Sequence, residues 1–452
     1  MKWLIGLLAA VFCFFVVTIR TGHRWGDDYA LYILEAKNIA TGTAYPTIGL
    51  IADPYYPSYS PRMTPPGFPL LLAPLYKVFG LNLEAFKAEE VVFFVGALAA
   101  ACLFFQSWLP PAWVLLFAAI MGFNPFFWNF KDDVLSDIPF LFFLWLEFLL
   151  LERRMPAVLC GFVAYLAIAT RGAGIVLLPA ILLCELWRRR RISRYSAVVV
   201  LTSLACLLVQ RLVLGGDPVA AYGDVFRPSL AATLSNLTYY RNALPLYWGV
   251  HSFWAPLLVS VVLLAAALAG RREQEPVLPL VFACFYVPVL VFWPYPSARY
   301  LMPLFPLFLF YALRGMARLG KVATVIACVL VLAGYVSYYR GASYSNIPMA
   351  TGRETFVAMC SYIKSNTLPG DRFVFYRARS LALFAERPTS PYHQPDHPDD
   401  LWRYFHEQSI RYVVVSNLFE KDRNVLVPLV DDHKAELTLT YENPEFKVYK
   451  IP

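Results

Sequence analysis

The stretch VLSDIPFLFFLWLEFLLLERR, residues 134–154, combines a long apolar run with an abrupt basic end. Residues 134–151 are long and apolar enough for a membrane-spanning helix, which needs about 20 mostly apolar residues. The Glu152-Arg153-Arg154 run that follows indicates the cytoplasmic side, because short loops rich in Lys and Arg stay in the cytoplasm. This stretch therefore predicts one membrane crossing and its direction.

The composition of the whole chain predicts the same fold class. Its 452 residues are 59% hydrophobic and only 15% charged, whereas soluble domains carry about 25% charged residues. We therefore predict a polytopic α-helical membrane protein, with its first span retained because no small-x-small cleavage site precedes Arg20. About eleven candidate spans can be drawn, centred on residues 3–19, 88–107, 112–128, 134–151, 155–170, 172–187, 195–214, 251–269, 277–294, 299–313 and 321–339.

Basic runs predict the orientation of these spans. They fall on one side of the map, at 152–154, 188–191, 271–272 and 314–321. Their placement explains the net charge of +8 as a topology signal, and nothing in it points to nucleic acid. The amino terminus is then inside, and residues 20–87, 215–250 and 341–452 lie outside.

The carboxyl-terminal segment has a different character, which predicts two domains. Residues 1–340 form a transmembrane domain with a long first outer loop at 20–87, and residues 341–452 form an extracytoplasmic α/β domain. In the second domain, Thr351 and Glu354 have capping-box spacing before a helix at 352–365, and 400–408 reads as a helix. Alternation predicts strands at 372–376, 411–416, 436–441 and 446–451.

The first outer loop begins with an acidic pair, Asp27 and Asp28. The residues Tyr29, Ile33 and Ala36 follow at helical spacing, so the pair lies at the start of a helix. Aspartate caps helix amino termini for purely structural reasons. Capping accounts for one of the two carboxylates and leaves the other unexplained.

Further charges lie near the predicted outer ends of the spans. Arginines at such positions run against the positive-inside rule, and ionisable groups at membrane depth often mark function. Two alternatives stay open, namely that Asp137 is a helix cap before Pro139 and that Lys131 pairs with its neighbours. The candidates are Arg62 before a Pro-Pro-Gly, Lys131, Asp132, Asp133 and Asp137 between two spans, Arg171, and Arg299.

Carboxylates and cations together predict a kind of chemistry. A carboxylate can take a proton from an attacking hydroxyl, and a cation can stabilise a phosphate as it leaves. Both groups beside an apolar bundle indicate a lipid phosphate substrate. Its tail would lie among the helices and its head would meet the outer loop.

A set of short motifs resembles a known superfamily. WGDDY, a Pro-Pro-Gly before an apolar helix, SDIPFLFFLWL, ATRGAGIVLLP and SARYLMPLFPLFLFYAL occur in that order. In this order they resemble the bacterial GT-C membrane glycosyltransferases, in particular the protein O-mannosyltransferase-like and lipid A aminoarabinose transferase-like group. The resemblance covers nearly the whole membrane part.

The resemblance implies an activity and its residues. The donor would be a polyprenyl-phosphate-linked sugar, transferred with inversion to a hydroxyl at the outer face of the cytoplasmic membrane. Asp27 would be the base and Asp28 would orient it, although Asp28 replaces the usual Glu and leaves open which of the two acts. Arg299 with Tyr300, Arg171, and the offset Arg62 match positions expected to bind the donor phosphate.

Other components are left open by the sequence. The acceptor is a glycan, a lipid or a protein, and the carboxyl-terminal domain is expected to help select it. No metal is required, although Mg²⁺ or Mn²⁺ can bind acidic clusters and some GT-C enzymes use one. The alternative functions are a transporter or flippase of polyprenyl-linked sugars, which internal repeats would favour, and an envelope scaffold.

Overall fold

The computed structural model describes residues 2–55, 64–214, 229–248, 275–347, 351–395 and 397–452. They form two compact units. A helical unit contains Met1–Ile19 and Glu84–Tyr344, and a second unit contains Arg20–Leu83 and Ser345–Pro452. The predicted division kept residues 20–87 with the transmembrane domain. In the structure, nearly all of this segment is part of the same unit as the carboxyl-terminal segment.

The helical unit consists of helices joined by short connections. Three 3₁₀ segments, Gly172–Val176, Leu244–Trp248 and Ala298–Leu304, lie between them. Its described α-helices are α1 Lys2–Val17, α4 Leu83–Phe105, α5 Pro111–Gly122, α6 Pro125–Phe130, α7 Asp137–Glu152, α8 Ala157–Thr170, α9 Leu177–Arg189, α10 Arg194–Leu214, α11 Leu230–Ala243, α12 Val277–Phe292, α13 Phe305–Leu319 and α14 Lys321–Gly341.

The predicted spans can be compared with these helices. The span at 251–269 lies outside the described residues, and each of the other candidates coincides with helical structure. The span at 112–128 is two helices, because Asn124 accepts a capping hydrogen bond from the Phe126 N–H at 2.9 Å and Pro125 begins the next helix. Among the described residues, four helices are long and apolar enough to cross a membrane: Leu83–Phe105, Arg194–Leu214, Ala298–Arg318 and Thr324–Gly341.

The second unit is built around a five-stranded sheet. Its strands are β1 Phe373–Val374, β2 Thr389–Ser390, β3 Tyr412–Ser416, β4 Thr438–Glu442 and β5 Phe446–Lys450. Their order is β2-β1-β3-β5-β4, with β1 parallel to β2 and β3, and β5 antiparallel to β3 and β4. Its helices are α2 Asp28–Thr41, α3 Gly67–Phe79, α15 Glu354–Asn366, α16 Ala378–Ala385, α17 Pro398–Glu407 and α18 Val427–Asp432, with a π-helical turn at Asp422–Leu426.

Both faces of the sheet are covered, because alternate residues of a strand point to opposite faces. Tyr412 and Val414 of β3 pack in one cluster with residues of α15 and α16. Val413 and Val415 pack on the other face with residues of α17 and α18. The segment before α3 also joins this sheet, since the backbone of Ile51 donates to Thr389 at 3.0 Å.

Most of the predicted elements of this unit are present, with two differences. The four predicted strands and both predicted helices occur, but β2, α16, α18 and the π-helical turn were not predicted. The predicted capping box is wrong, because Arg353 is the residue before α15 and the Thr351 side chain contacts the backbone of His23. Contact with the distant segment takes precedence there over a local cap.

Helices α8 and α10 approach closely at Gly161. The Ser203 hydroxyl donates to the Gly161 carbonyl at 2.7 Å. A Cβ atom at Gly161 would lie 2.5 Å from the Val199 carbonyl oxygen and 2.5 Å from the Thr202 Cβ. Small residues allow this kind of helix contact in membrane proteins.

We expect Gly161→Val to push these helices apart and destabilise the chain by about 2 kcal/mol, the usual size of an overpacking effect. Thermal unfolding of the detergent-solubilised chain measures this loss. Gly6→Val in α1 is the matched control, because a Cβ atom there meets nothing within 4 Å. Equal unfolding temperatures for the two variants would contradict the contact.

Candidate active site

Asp27 lies directly before α2, but its side chain does not cap that helix. It occupies the N-cap position without a side-chain cap hydrogen bond. Its Oδ1 atom instead accepts a hydrogen bond of 3.1 Å from the Ser380 hydroxyl of α16. The capping explanation therefore does not apply to Asp27, and its side chain is directed at the carboxyl-terminal domain.

The second oxygen of Asp27 has a different environment. Asp27 is 6% exposed, and its Oδ2 atom is buried with no hydrogen-bond partner among the described residues. A buried carboxylate normally has its lone pairs satisfied. An oxygen without a partner in this position is available to accept a proton from a hydroxyl that enters the site.

Burial sets the acidity of this group. Desolvation raises the pKa of Asp27 from its usual 3.8 to about 6, against the opposing effects of Arg379, Arg377 and the Ser380 hydrogen bond. Taking a carboxylate out of water disfavours its charged form, whereas nearby cations favour it. The result is a carboxylate that is ionised at neutral pH and more basic than an exposed one.

Asp28 is placed differently from its neighbour. Its side chain is 49% exposed, and its Oδ1 atom lies 3.5 Å from Nη1 of the buried Arg379. Asp28 also opposes ionisation of Asp27 through like charge. The structure thus separates the predicted pair into a buried carboxylate and a half-exposed one that is ion-paired.

Local structure explains why α16 meets this pair. Strand β1 is the middle of three parallel strands, and the chain leaves its carboxyl end through Tyr376 and Arg377 into α16. Arg379 and Ser380 are in the first turn of α16, where free backbone N–H groups favour a nearby anion. Ligands in α/β sheets commonly bind beyond the carboxyl ends of strands.

A second buried carboxylate follows on α2. Glu35 accepts hydrogen bonds from the backbone N–H of Thr64, at 2.9 Å, and from the Thr64 hydroxyl. Burial raises the pKa of Glu35 to about 7. The contact fixes Thr64, the residue before the Pro65-Pro66-Gly67 turn, two positions after Arg62. The predicted phosphate ligand Arg62 itself lies outside the described residues.

The helical unit contains its own charged group. Asp137, 3% exposed, lies 2.8 Å from Nη1 of Arg171 and 3.8 Å from Nε of Arg299. Both guanidinium groups lie over the Tyr300 ring, at 4.6 and 5.4 Å from its centroid. The predicted residues Arg171, Arg299 and Tyr300 are thus together, held by one carboxylate. Asp137 is the first residue of α7 and not its cap, which is Ser136.

The other predicted residues between these helices are buried and close to one another. The Lys131 ammonium donates to the Thr18 carbonyl at 2.7 Å and to Asp132 at 2.8 Å, and it lies 4.7 Å from the Trp128 ring centroid. Asp133 is 5% exposed. For Lys131 this geometry favours the open alternative of pairing with a neighbour, and substrate binding by the three residues stays a prediction.

No metal ligands are assigned. Within the described parts of the chain, no group of three or more His, Cys, Asp or Glu side chains is placed to hold a metal ion. Whether Mg²⁺ or Mn²⁺ takes part therefore stays open, and no step below depends on one.

The fold is similar to solved glycosyltransferases along nearly the whole chain. ArnT from Cupriavidus metallidurans in the apo state matches with a TM-score of 0.64 and 13% identity, over 99% of this chain and 98% of that one. The same protein bound to undecaprenyl phosphate matches with a TM-score of 0.64 and 14% identity, over 99% and 98%. No family model and no curated protein sequence matches the chain significantly.

Two further structures share the architecture. The Archaeoglobus fulgidus oligosaccharyltransferase, tethered to an acceptor peptide with an NVT sequon, has a TM-score of 0.58 and 13% identity, over 92% of this chain and 69% of that one. The mycobacterial arabinofuranosyltransferase AftD has a TM-score of 0.61 and 13% identity, over 99% and 41%. The chain therefore shares the fold of these solved glycosyltransferases, and the predicted resemblance is confirmed at the level of the fold. The number of spans and their orientation stay predictions.

Three residues near Asp27 were not predicted from the sequence. Arg377, Arg379 and Ser380 lie more than three hundred positions away along the chain. The one available signal was the polar RARS at 377–380, directly after the predicted strand at 372–376. Polar side chains at the end of a buried strand are a common place for a site.

The ion pairs of Asp137 predict unequal effects for its two arginines. We expect Arg171→Gln to destabilise the chain by about 3 kcal/mol, because it leaves a buried carboxylate without its nearest partner. Arg299→Gln, at 3.8 Å, should cost clearly less. Unfolding temperatures in detergent measure both, and a larger loss for Arg299→Gln would contradict this arrangement.

Proposed function

We propose that the chain is an inverting glycosyltransferase. It moves a sugar from a polyprenyl-phosphate-linked donor to an acceptor hydroxyl at the outer face of the cytoplasmic membrane. The observation that carries this proposal is the buried Asp27 carboxylate, with one oxygen held by Ser380 and the other without a partner. The GT-C fold supports it, since one similar protein was solved with undecaprenyl phosphate and another with an acceptor peptide.

The reaction is a single displacement. Asp27 Oδ2 accepts the proton of the acceptor hydroxyl while that oxygen attacks C1 of the sugar. The bond between C1 and the phosphate oxygen breaks, and the polyprenyl phosphate leaves with the electron pair. A general base works best when its pKa lies near the working pH, and a pKa of about 6 for Asp27 meets that requirement.

The donor phosphate requires cations. We assign this role to Arg171 and Arg299, with Tyr300 supporting both guanidinium groups, and keep Arg62 as a candidate. Arginine binds phosphate through a planar fork of donors. Arg299 is the better candidate of the two described arginines, because the resemblance of its segment to the GT-C motifs assigns it this role more clearly than it does Arg171.

Asp27→Asn tests the base assignment. We expect sugar transfer to be lost because the amide cannot take the proton. The variant should unfold no more easily than the wild type at pH 7.5, because the folded-state pKa of Asp27 is raised above its usual value, so its ionisation opposes folding. Transfer is measured as undecaprenyl phosphate released from a panel of synthetic undecaprenyl-phosphate-linked hexoses and pentoses, with membrane extract as acceptor.

Mass spectrometry of lipids that co-purify with wild type and Asp27→Asn identifies the donor directly. A polyprenyl-phosphate sugar enriched in the variant supports the proposal.

Arg299→Gln should bind undecaprenyl phosphate more weakly while keeping its unfolding temperature near that of the wild type. If Asp27→Asn released undecaprenyl phosphate from the donor at the wild-type rate, Asp27 would be excluded as the base. Binding of the lipid sugar without release by the wild type would favour a transporter.

The rate should depend on pH in a defined way. Because only the ionised carboxylate accepts a proton, kcat/KM should rise about tenfold per pH unit below about pH 6 and level off above it. Initial rates between pH 4.5 and 8 measure this profile. A fall in rate that begins only near pH 4 would mean that a carboxylate other than the buried Asp27 acts as the base.

A further inference from the structure

The neutral hydroxyl of Ser380 joins Asp27 to the carboxyl-terminal domain. Ser380 is fully buried. Its hydroxyl donates to Asp27 Oδ1 at 3.1 Å, and its oxygen accepts from the Tyr29 hydroxyl at 3.1 Å. Resting on the function proposed above, we propose that Ser380 is a positioning residue that holds Asp27 Oδ1 so that Oδ2 receives the proton of the acceptor.

The directions of these hydrogen bonds are fixed by the number of protons. An ionised carboxylate only accepts, and a serine hydroxyl has one proton to donate. If that proton goes to Asp27, the Ser380 oxygen must accept from Tyr29. Tyr29 can supply it, because burial raises the pKa of the phenol and keeps it protonated. The result is an ordered chain from Tyr29 through Ser380 to Asp27.

Tyr29 is itself held in place. Its ring is fully buried and stacks on the His23 ring, with the centroids 3.8 Å apart. Tyr29 is on α2 and Ser380 is on α16, and these helices pack together. Rotation of the Asp27 carboxylate would therefore break its hydrogen bond to Ser380, because Ser380 and Tyr29 are held in place by the packing of these two helices. A base must be held within hydrogen-bond reach of the proton that it takes.

The charged groups around Asp27 come from both helices. Arg379 and Arg377 lower its pKa from the α16 side, and Asp28 raises it from the α2 side. Each of these acts through charge and does not require contact with one particular oxygen. Ser380 is different, because it is hydrogen-bonded to Oδ1 alone. It therefore distinguishes the two oxygens of the base.

The carboxyl-terminal domain then has a role beyond the predicted selection of the acceptor. It supplies the residue that orients the base, so chemistry depends on it as well as recognition. A purely structural alternative exists, in which Ser380 only links the outer-loop segment to α16. The two roles differ in their dependence on the charge of Asp27.

The test compares Ser380→Ala with Ser390→Ala in the full-length chain. Ser390 is equally buried in the same domain, but its hydroxyl bonds to the Pro391 carbonyl and to Tyr404. With the synthetic donor panel, Ser380→Ala should lower kcat about tenfold with KM for the donor unchanged. The pH below which kcat/KM falls, called the acid limb of the profile, should move about one pH unit upward, because the hydrogen bond that favours ionised Asp27 is lost. Ser380→Thr should restore the limb, and Ser390→Ala should not move it.

A second measurement does not depend on turnover. Unfolding temperatures are recorded at pH 5 and pH 7.5 for wild type, Ser380→Ala, Asp27→Asn and the double variant. Ser380→Ala should lower the unfolding temperature more at pH 7.5, where Asp27 is ionised, than at pH 5. This additional loss should vanish when Asp27 is Asn, as a double-mutant cycle requires for a direct interaction.

The outcomes separate the two proposals. If the wild type releases undecaprenyl phosphate but Ser380→Ala keeps its acid limb, or loses the same stability at both pH values, Ser380 is structural and the inference is overturned. If the wild type releases no phosphate from any donor, the proposed function fails. The unfolding cycle then still decides whether Ser380 acts on the charge of Asp27, and a loss of stability that is independent of pH overturns that claim as well.

Discussion

The hydrogen bond between Ser380 and Asp27 is the interaction on which the candidate site depends. It holds a carboxylate in a buried position where ionisation is unfavourable. Desolvation raises the pKa of Asp27, and two arginines and this hydrogen bond limit the rise to about 6. Without these partners the pKa of Asp27 would be higher still, and with stronger pairing it would be closer to that of an exposed aspartate.

Asp137 and Asp27 show how the same residue type is held in different ways. In the helical unit, Asp137 has an arginine at 2.8 Å and a second at 3.8 Å, which is the pairing expected of a charge removed from water. In the second unit, Asp27 Oδ1 accepts a hydrogen bond from the Ser380 hydroxyl. The Oδ2 atom of each residue is buried without a hydrogen-bond partner among the described residues, so the two carboxylates differ in what holds them, arginine ion pairs for Asp137 and a neutral hydroxyl for Asp27.

The sequence predicted what the membrane and the local pattern dictate. Hydropathy located the apolar helices of the helical unit, because a bilayer requires long apolar segments with internally bonded backbones. The alternation of β5 located that strand, and the run of β-branched residues located β3, whose residues are all buried. The strand β2, two residues long, and the helix α16 have too few residues for a pattern. The role of Ser380 depends on a contact 353 positions apart, which no local signal in one sequence reveals.

The division into two units explains why the acidic pair was found while its partners were not. The pair follows α1 directly and was assigned to the transmembrane domain by its position along the chain. Its side-chain contacts are instead with α16, in the unit that also contains the sheet. The sheet fixes the end of β1, the end of β1 fixes the first turn of α16, and that turn supplies the hydroxyl that binds Asp27. The orientation of the Asp27 carboxylate is therefore a property of the carboxyl-terminal fold, and changes in the packing of β1 against β3 would reach Asp27 through α16.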